Sequence, residues 1–111
     1  MFRDYRIYLE DMREAGEKIR RYAGGLSFEG FSSDEKTVDA VVRNLEILGE
    51  AAKQIPDSVR LANPDVEWRK LAGLRDILIH QYFGIDLVIV WDIVQNKLPD
   101  LLHRLDQILS A

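Results

Sequence analysis

Hydrophobic residues recur every three or four positions along almost the whole chain, the spacing that places side chains on one face of an α-helix. The first stripe consists of Tyr5, Leu9, Met12, Gly16, Ile19 and Ala23. The pair Gly24-Gly25 follows it, and glycine is the residue most often found just past the end of a helix. The pattern therefore predicts a first helix that ends at Ala23.

A second stripe lies between two residues that favour helix boundaries, Ser32 and Pro56. It consists of Val38, Val41, Leu45, Leu48, Ala52 and Ile55. The stretch from Leu26 to Phe31 is predicted to be a loop. The sequence Ser32-Ser33-Asp34-Glu35 resembles a capping box, in which the Ser32 hydroxyl accepts a hydrogen bond from an amide near Glu35. Pro56 is predicted to close this helix because proline has no backbone N–H.

A connector rich in turn-forming residues follows the second helix. It contains Pro56-Asp57 and Asn63-Pro64-Asp65, both typical of turns. A third helix is then predicted from about Val66 to about Tyr82, with Gly84 as its terminator.

The last stripe begins after Asp86, a residue suited to capping a helix N-terminus. It consists of Leu87, Val90, Val94, Leu98, Leu101 or Leu102, Leu105 and Ile108. The run from Leu87 to Val90 has strand-like composition, but the stripe keeps its helical step across Pro99. We therefore predict a helix that is kinked or briefly interrupted near Pro99. The four helices predict an all-α, antiparallel four-helix bundle, with residues 1–111 as a single domain.

Composition narrows the class of protein. Hydrophobic residues make up 47% and charged residues 31% of the 111 positions, as in ordinary globular domains. The longest apolar run, Leu87 to Trp91, is too short to span a bilayer, and the first residues do not resemble a secretion signal. The absence of cysteine excludes disulfides and thiolate metal sites. A cytoplasmic protein without a membrane partner is expected.

The chain is acidic, with 15 Lys and Arg against 19 Asp and Glu and a formal net charge of −4. Proteins that hold long nucleic acids by neutralising phosphates are usually basic. Nucleic acid would therefore have to be held in a local cleft, and DNA is not an expected partner. The two histidines, His80 and His103, have no metal-binding spacing, so no metal is expected. His103, close to the chain end, is expected to be exposed and inert.

The third predicted helix carries a possible acid–base pair. Asp76 and His80 lie four residues apart, so Asp76 can accept a hydrogen bond from one imidazole nitrogen and orient the other. Such a pair is half of an acid–base device. The same spacing is also common on helix surfaces, and a histidine in the last turn is favoured by the helix dipole. Spacing alone favours the surface pair and leaves catalysis open.

Arg75 is the candidate for stabilising negative charge beside His80. The two residues are five apart, so on one straight helix they point about 140° away from each other. Across a two-fold axis, Arg75 of one chain can approach His80 of another. A composite site in a homodimer is therefore the natural arrangement.

The segment Arg75-Asp76-Ile77-Leu78-Ile79-His80-Gln81-Tyr82 resembles the motif of the HepT-like ribonuclease toxins of the HEPN superfamily. That motif is an arginine, four residues, a histidine, one residue and a tyrosine. The resemblance extends to Arg43–Ala52, which is similar to the second helix of the family, and to Trp68-Arg69, Tyr82-Phe83-Gly84 and Trp91. It covers nearly the whole chain and implies a HEPN-like four-helix fold.

The resemblance also implies a function. Proteins of this family are metal-independent endoribonucleases that form homodimers, in which the motifs of both chains line one cleft. They are toxins of type VII toxin–antitoxin systems, and an MNT-type nucleotidyltransferase antitoxin adenylylates the tyrosine of the motif. By this resemblance Arg75 and His80 are the catalytic pair, Asp76 supports them and Tyr82 is the modification site.

Three polar residues of the second helix, Arg43, Asn44 and Glu50, match the family pattern and are expected in the cleft wall. Cleavage of RNA without metal uses the 2′-hydroxyl of the substrate, so the protein must supply proton transfer and charge stabilisation, and no cofactor is expected. The alternative is a non-catalytic helical module for dimerisation, or an adaptor for a nucleotidyltransferase partner.

Overall fold

The computed structural model describes residues 4–80 and 86–111, with residues 79 and 80 described by their backbone. Every regular element in these ranges is helical. In chain order the elements are α1 (Tyr5–Ala23), α2 (Phe28–Ser32), α3 (Glu35–Ala52), α4 (Asp57–Ala62), α5 (Trp68–Ala72), α6 (Leu74–His80), α7 (Leu87–Asp92), a π-helical segment (Ile93–Lys97) and α8 (Leu98–Ser110).

Helix α1 has the bounds that the hydrophobic stripe predicts. A side-chain oxygen of Asp4 accepts a hydrogen bond from the Arg6 amide at 3.0 Å and so caps the N-terminus. The helix ends at Ala23, and Gly25 adopts a φ of +78°, a left-handed conformation that glycine adopts without steric cost. The predicted stop at the glycine pair is confirmed.

The loop predicted from Leu26 to Phe31 is wrong, because Phe28–Ser32 forms a short helix. The Ser27 hydroxyl accepts a hydrogen bond from the Gly30 amide at 3.0 Å and caps this helix. The Phe31 side chain is fully buried, and the centroid of its ring lies 5.1 Å from the centroid of the Trp91 ring. The contact with Trp91, a residue distant in sequence, stabilises a helix that is too short to form alone.

The capping box predicted at Ser32 is also wrong. Ser32 belongs to α2, and its hydroxyl donates to the Glu29 carbonyl at 3.3 Å. Asp34 caps α3 instead, since its carboxylate accepts hydrogen bonds from the Thr37 amide at 3.2 Å and from the Thr37 hydroxyl at 2.8 Å. These two hydrogen bonds stabilise the charged form and lower the pKa of the Asp34 carboxyl below its ordinary value of 3.8.

The lowered pKa of Asp34 predicts a change in acid stability for Asp34→Asn. A carboxyl whose pKa is lower in the folded state stabilises the fold above its unfolded pKa, and this contribution is lost as the pH falls through the folded-state value. Asparagine keeps the capping geometry without the charge. We expect the variant to melt a few degrees below the wild type at neutral pH, and the two melting temperatures to converge in acid. A difference in melting temperature that is independent of pH, measured by circular dichroism, would contradict this account.

Helix α3 ends at Ala52, four residues before Pro56, so Ile55 of the predicted stripe lies beyond the helix, and a residue of the connector satisfies carbonyls at and after the helix end. The Arg60 guanidinium donates to the Ile55 carbonyl at 2.9 Å and to the Ala52 carbonyl at 3.1 Å. Arg60 lies in α4, a short helix that the turn residues of the connector do not predict. The connector is therefore a helical cap for α3 and not only a pair of turns.

The single third helix predicted from Val66 to Tyr82 is divided in the structure. It begins at Trp68, whose indole N–H donates to the Asn63 carbonyl at 3.0 Å, and it is interrupted at Gly73 between α5 and α6. The stretch that contains Tyr82 and Gly84 lies outside the described residues.

The last segment is helical from Leu87 to Ser110, as the stripe predicts, and the strand alternative at its start is wrong. Asp86 caps it, since its carboxylate accepts a hydrogen bond from the Val88 amide at 3.1 Å. The predicted interruption near Pro99 is the π-helical segment directly before α8. Proline lacks a backbone N–H, so the regular hydrogen-bond pattern cannot continue through this turn.

The long helices pack around one core. Helix α1 runs antiparallel to the last helix, since Arg6 donates to the Leu109 carbonyl and Gly16 lies against Leu102. Helix α3 packs against α1, α5 and α6. The largest fully buried side chains are Leu9, Met12, Ile19, Phe31, Val41, Leu45, Leu48, Val90 and Leu105. The all-α bundle is confirmed, and within the described ranges none of the helices has both the length and the hydrophobicity of a membrane span.

Candidate active site

Helices α3 and α6 approach each other closely because residue 49 is glycine. A Cβ atom at Gly49 would lie 2.8 Å from the carbonyl oxygen of Leu71 and 3.4 Å from the Cβ atom of Leu74. The first of these distances is shorter than van der Waals contact and involves rigid backbone. The absence of a side chain at Gly49 therefore places the start of α6 directly against α3.

Burial of two leucines orients α6. Leu74 and Leu78 are buried in the core. The residues between them, Arg75, Asp76 and Ile77, are exposed. The hydrophobic face of α6 thus fixes Arg75 on the surface, beside α3.

Arg75 forms an ion pair with a residue that is 25 positions away in sequence. Its Nη1 atom lies 3.5 Å from Oε1 of Glu50 in α3, and Nζ of Lys53 lies 3.4 Å from the same oxygen. The side chains of Arg75 and Glu50 are 54% and 47% exposed. An exposed pair of this kind contributes about 0–1 kcal/mol to stability, so its main effect is to orient the guanidinium.

An open polar groove of about 620 Å³ surrounds this ion pair. It is bordered by three helices, α1, α3 and α6. Its described lining consists of Tyr8, Asp11, Arg43, Glu46, Ile47, Glu50, Ala51, Gln54 and Arg75. Its volume falls in the range of small-molecule sites, about 300–1,000 Å³.

Charges of both signs line the groove. Its described lining contains two guanidiniums, Arg43 and Arg75, and three carboxylates, Asp11, Glu46 and Glu50. Arg43 pairs with Glu46, with 3.6 Å between Nη1 and Oε2. The groove is therefore not a basic patch, and a phosphate would meet two individually placed cations.

The structure brings together three of the residues that the sequence singles out. Arg75, Arg43 and Glu50 all line the groove. Asn44 does not line it: this residue is buried, and its side-chain amide donates to the Ala40 carbonyl at 2.9 Å. Asp76 is exposed on α6 and is not part of the groove lining either.

The other predicted residues are placed less completely. His80 is the last residue of α6, and its imidazole, with the hydrogen bond predicted from it to Asp76, lies outside the described part of the site. Tyr82 is outside the described residues. His103 is exposed on α8, as expected.

The sequence gives no indication that Tyr8, Asp11 and Gln54 belong to the groove. On α1, Tyr8 and Asp11 lie three positions apart beside the buried stripe, a pattern shared by many surface positions of an amphipathic helix. Only the packing of α1 on α3 identifies them. No group of three or more His, Cys, Asp or Glu side chains suited to a metal ion is found among the described residues.

The fold and the groove define a small helical bundle with a polar surface site, a class that includes both enzymes and adaptor modules. The comparison of sequences decides between these. The chain matches the ribonuclease HepT-like family over residues 12–108 and belongs to that family, which is a family of ribonucleases.

Several relatives that match the chain over almost their full lengths are named as ribonucleases. A protein of Thermococcus cleftensis, named a probable ribonuclease HepT, is 42% identical over 108 residues, which cover 97% of this chain and 98% of the relative. A candidate RNase of Methanocaldococcus jannaschii is 41% identical over 108 residues, 97% and 89% of the two chains. One from Caldanaerobacter subterraneus subsp. tengcongensis is 39% identical over 105 residues, 95% and 94%. No solved structure matches the chain.

Proposed function

We propose that this chain is a metal-independent endoribonuclease, the toxin component of a toxin–antitoxin system, folded as a single domain and acting on cytoplasmic RNA. Membership of a ribonuclease family supports the activity. The observation that carries the site is the ion pair of Arg75 with Glu50, because it holds the arginine of the family motif at an open groove.

In the proposed reaction, the 2′-hydroxyl of the substrate attacks the adjacent phosphorus, and the 5′-oxygen leaves. His80 accepts the proton of the 2′-hydroxyl or donates one to the leaving oxygen, a role worth about 10²–10⁴-fold in rate. Arg75 stabilises the negative phosphorane by hydrogen bonds from its guanidinium. Asp76 orients the imidazole. The products carry 2′,3′-cyclic phosphate and 5′-hydroxyl ends.

The active unit is proposed to be a homodimer. Arg75 and His80 are five residues apart on α6, so they point about 140° away from each other and converge only with difficulty on one phosphate from a single straight helix. A two-fold axis beside α6 brings Arg75 of one protomer to His80 of the other. The exposed apolar side chains of Ile77 on α6 and of Val88 and Ile89 on α7 are suited to such an interface.

Incubation of the purified protein with mixed RNA in EDTA tests the activity. The wild type is expected to cleave, and Arg75→Ala and His80→Ala are each expected to lower the rate by at least about 10²-fold without loss of helicity. Capture of the cyclic phosphate ends by sequencing checks the route. Equal RNA profiles for all three proteins would favour the non-catalytic module, whose partner would be a nucleotidyltransferase.

A nucleotidyltransferase antitoxin that adenylylates Tyr82 is the proposed regulator. An attached AMP adds bulk and negative charge to the motif and opposes the approach of a phosphate. We expect mass spectrometry of the protein co-expressed with such an enzyme to locate AMP on Tyr82. We also expect Tyr82→Phe to remain active in the presence of the antitoxin. Full inhibition of the wild type with an unmodified Tyr82 would contradict this mechanism.

A further inference from the structure

The two guanidiniums of the groove pair with carboxylates that lie one helical turn apart on α3. Arg43 pairs with Glu46, and Arg75 pairs with Glu50. Glu46 and Glu50 are four residues apart on α3, so they lie on the same face with about 5–6 Å between their Cβ atoms. Neighbouring phosphates of a nucleic-acid strand are separated by a comparable distance.

Each guanidinium also has donors to spare. A guanidinium has five N–H donors, and each of the two arginines is held by its carboxylate through Nη1. The side chain of Arg43 is 71% exposed and that of Arg75 is 54% exposed. The carboxylates therefore orient the two cations while most of their N–H groups remain accessible to a ligand.

The groove between these cations has room and surface for a nucleotide. Ile47 and Ala51 contribute apolar surface on the same side of α3, and the half-buried Tyr8 of α1 lines the groove with them. Apolar and aromatic side chains of this kind contact ribose and bases without sequence preference. A strand that follows α3 would keep its phosphates on the arginines.

We propose that this groove binds two consecutive phosphates of a single-stranded RNA, with Arg75 on the scissile phosphate and Arg43 on its neighbour. This inference rests on the proposed function, and it assigns to Arg43 a binding role that is separate from the chemistry. Three carboxylates line the same groove, so binding is weak, and the two phosphate contacts make it weaker as the salt concentration rises. The subsite therefore adds register and affinity to a site whose net charge does not attract RNA.

Arg43→Ala tests the subsite against a matched control, Arg20→Ala. Arg20 is also exposed and also pairs with a glutamate three residues away, Glu17, but it lies on α1 outside the groove. With a single-stranded RNA that the wild type cleaves, Arg43→Ala is expected to raise KM about tenfold and to leave kcat within about twofold. The slope of log KM against log salt between about 50 and 200 mM NaCl is expected to fall by about 0.7, as for one lost phosphate contact on a single strand. Arg20→Ala is expected to behave as the wild type.

A substrate with one phosphodiester provides the second arm. On a dinucleoside monophosphate there is no neighbouring phosphate, so Arg43→Ala and the wild type are expected to have equal KM values. Fluorescence anisotropy with a labelled RNA strand measures the same contact without cleavage. The two proteins compared are His80→Ala alone and His80→Ala combined with Arg43→Ala.

The two proposals fail in distinguishable ways. The subsite is overturned if Arg43→Ala and Arg20→Ala have equal KM values and equal salt slopes on the long strand. It is also overturned if Arg43→Ala raises KM on the dinucleoside monophosphate as much as on the long strand. An intact rate for Arg75→Ala overturns the nuclease site itself. If no protein cleaves RNA, anisotropy decides the subsite: an Arg43-dependent salt slope supports it, and an unchanged slope overturns it.

Discussion

Arg75→Lys is expected to lower kcat for RNA cleavage by about 10²-fold or more, with a much smaller change in KM. Lysine keeps the positive charge, but it lacks the planar fork of donors that can bind two phosphate oxygens at once. Because charge on the phosphate oxygens grows in the transition state, the lost hydrogen bonds act mainly on kcat. Single-turnover kinetics with the mapped substrate separate the two constants.

The matched control for this substitution is Arg20→Lys. It makes the same chemical change in an exposed arginine that pairs with Glu17, away from the groove. We expect wild-type kinetics for this variant. An Arg75→Lys enzyme with a normal kcat would show that positive charge alone suffices, and the bidentate role of the guanidinium would have to be abandoned.

Gly49→Ala is expected to impair both stability and activity. The new methyl group would meet the backbone carbonyl of Leu71 at 2.8 Å, and backbone cannot rotate out of the way as a side chain can. Overpacking of this kind costs about 1–3 kcal/mol, partly offset by the gain in helix propensity of up to about 1 kcal/mol. Since α6 begins at Leu74, the displacement moves Arg75 away from Glu50. We expect a lower Cm in urea and a loss of at least tenfold in kcat.

Gly16→Ala distinguishes the effect of lower stability from the effect of a displaced Arg75. Gly16 is also a helical glycine in a close contact, but the nearest atom to its Cβ position is the end of the Leu102 side chain, at 2.6 Å. Leu102 lies in α8, and neither residue borders the groove. Any destabilisation by Gly16→Ala should leave kcat unchanged at temperatures where the protein is folded. Equal kcat values for the two variants would contradict a positioning role for Gly49.

Caps and short helices show where prediction from the sequence stops. The hydrophobic stripe determines α1 and the last helix, because burial of one face is the main source of stability for long helices. The sequence predicts Ser32 as the cap of α3, whereas Asp34 caps this helix in the structure. Several residues near a helix start can cap it, and the chain path through α2 decides which one does. Phe31 makes α2 helical through a contact with Trp91 that local sequence does not contain.

The candidate site divides in the same way. A local motif indicates Arg75, and a segment similar to the family indicates Arg43 and Glu50. Asn44 was expected beside them, yet it is buried with its amide on the Ala40 carbonyl. A shift of one residue on a helix turns the side chain by about 100°, and the packing of α3 determines which residue is turned inward.

By itself the sequence determined the helical class, the ends of the longest helices and the arginine of the motif, because these depend on hydrophobic periodicity, capping chemistry and a local pattern. Only the tertiary structure decided that Glu50 holds Arg75, that Gly49 lets their helices meet and that Tyr8 borders the same groove. These relations join residues 22 to 67 positions apart, from the close approach of Gly49 to Leu71 to the groove that Tyr8 and Arg75 both line. The packing of the helices brings these residues together in space, and no local sequence pattern encodes that packing.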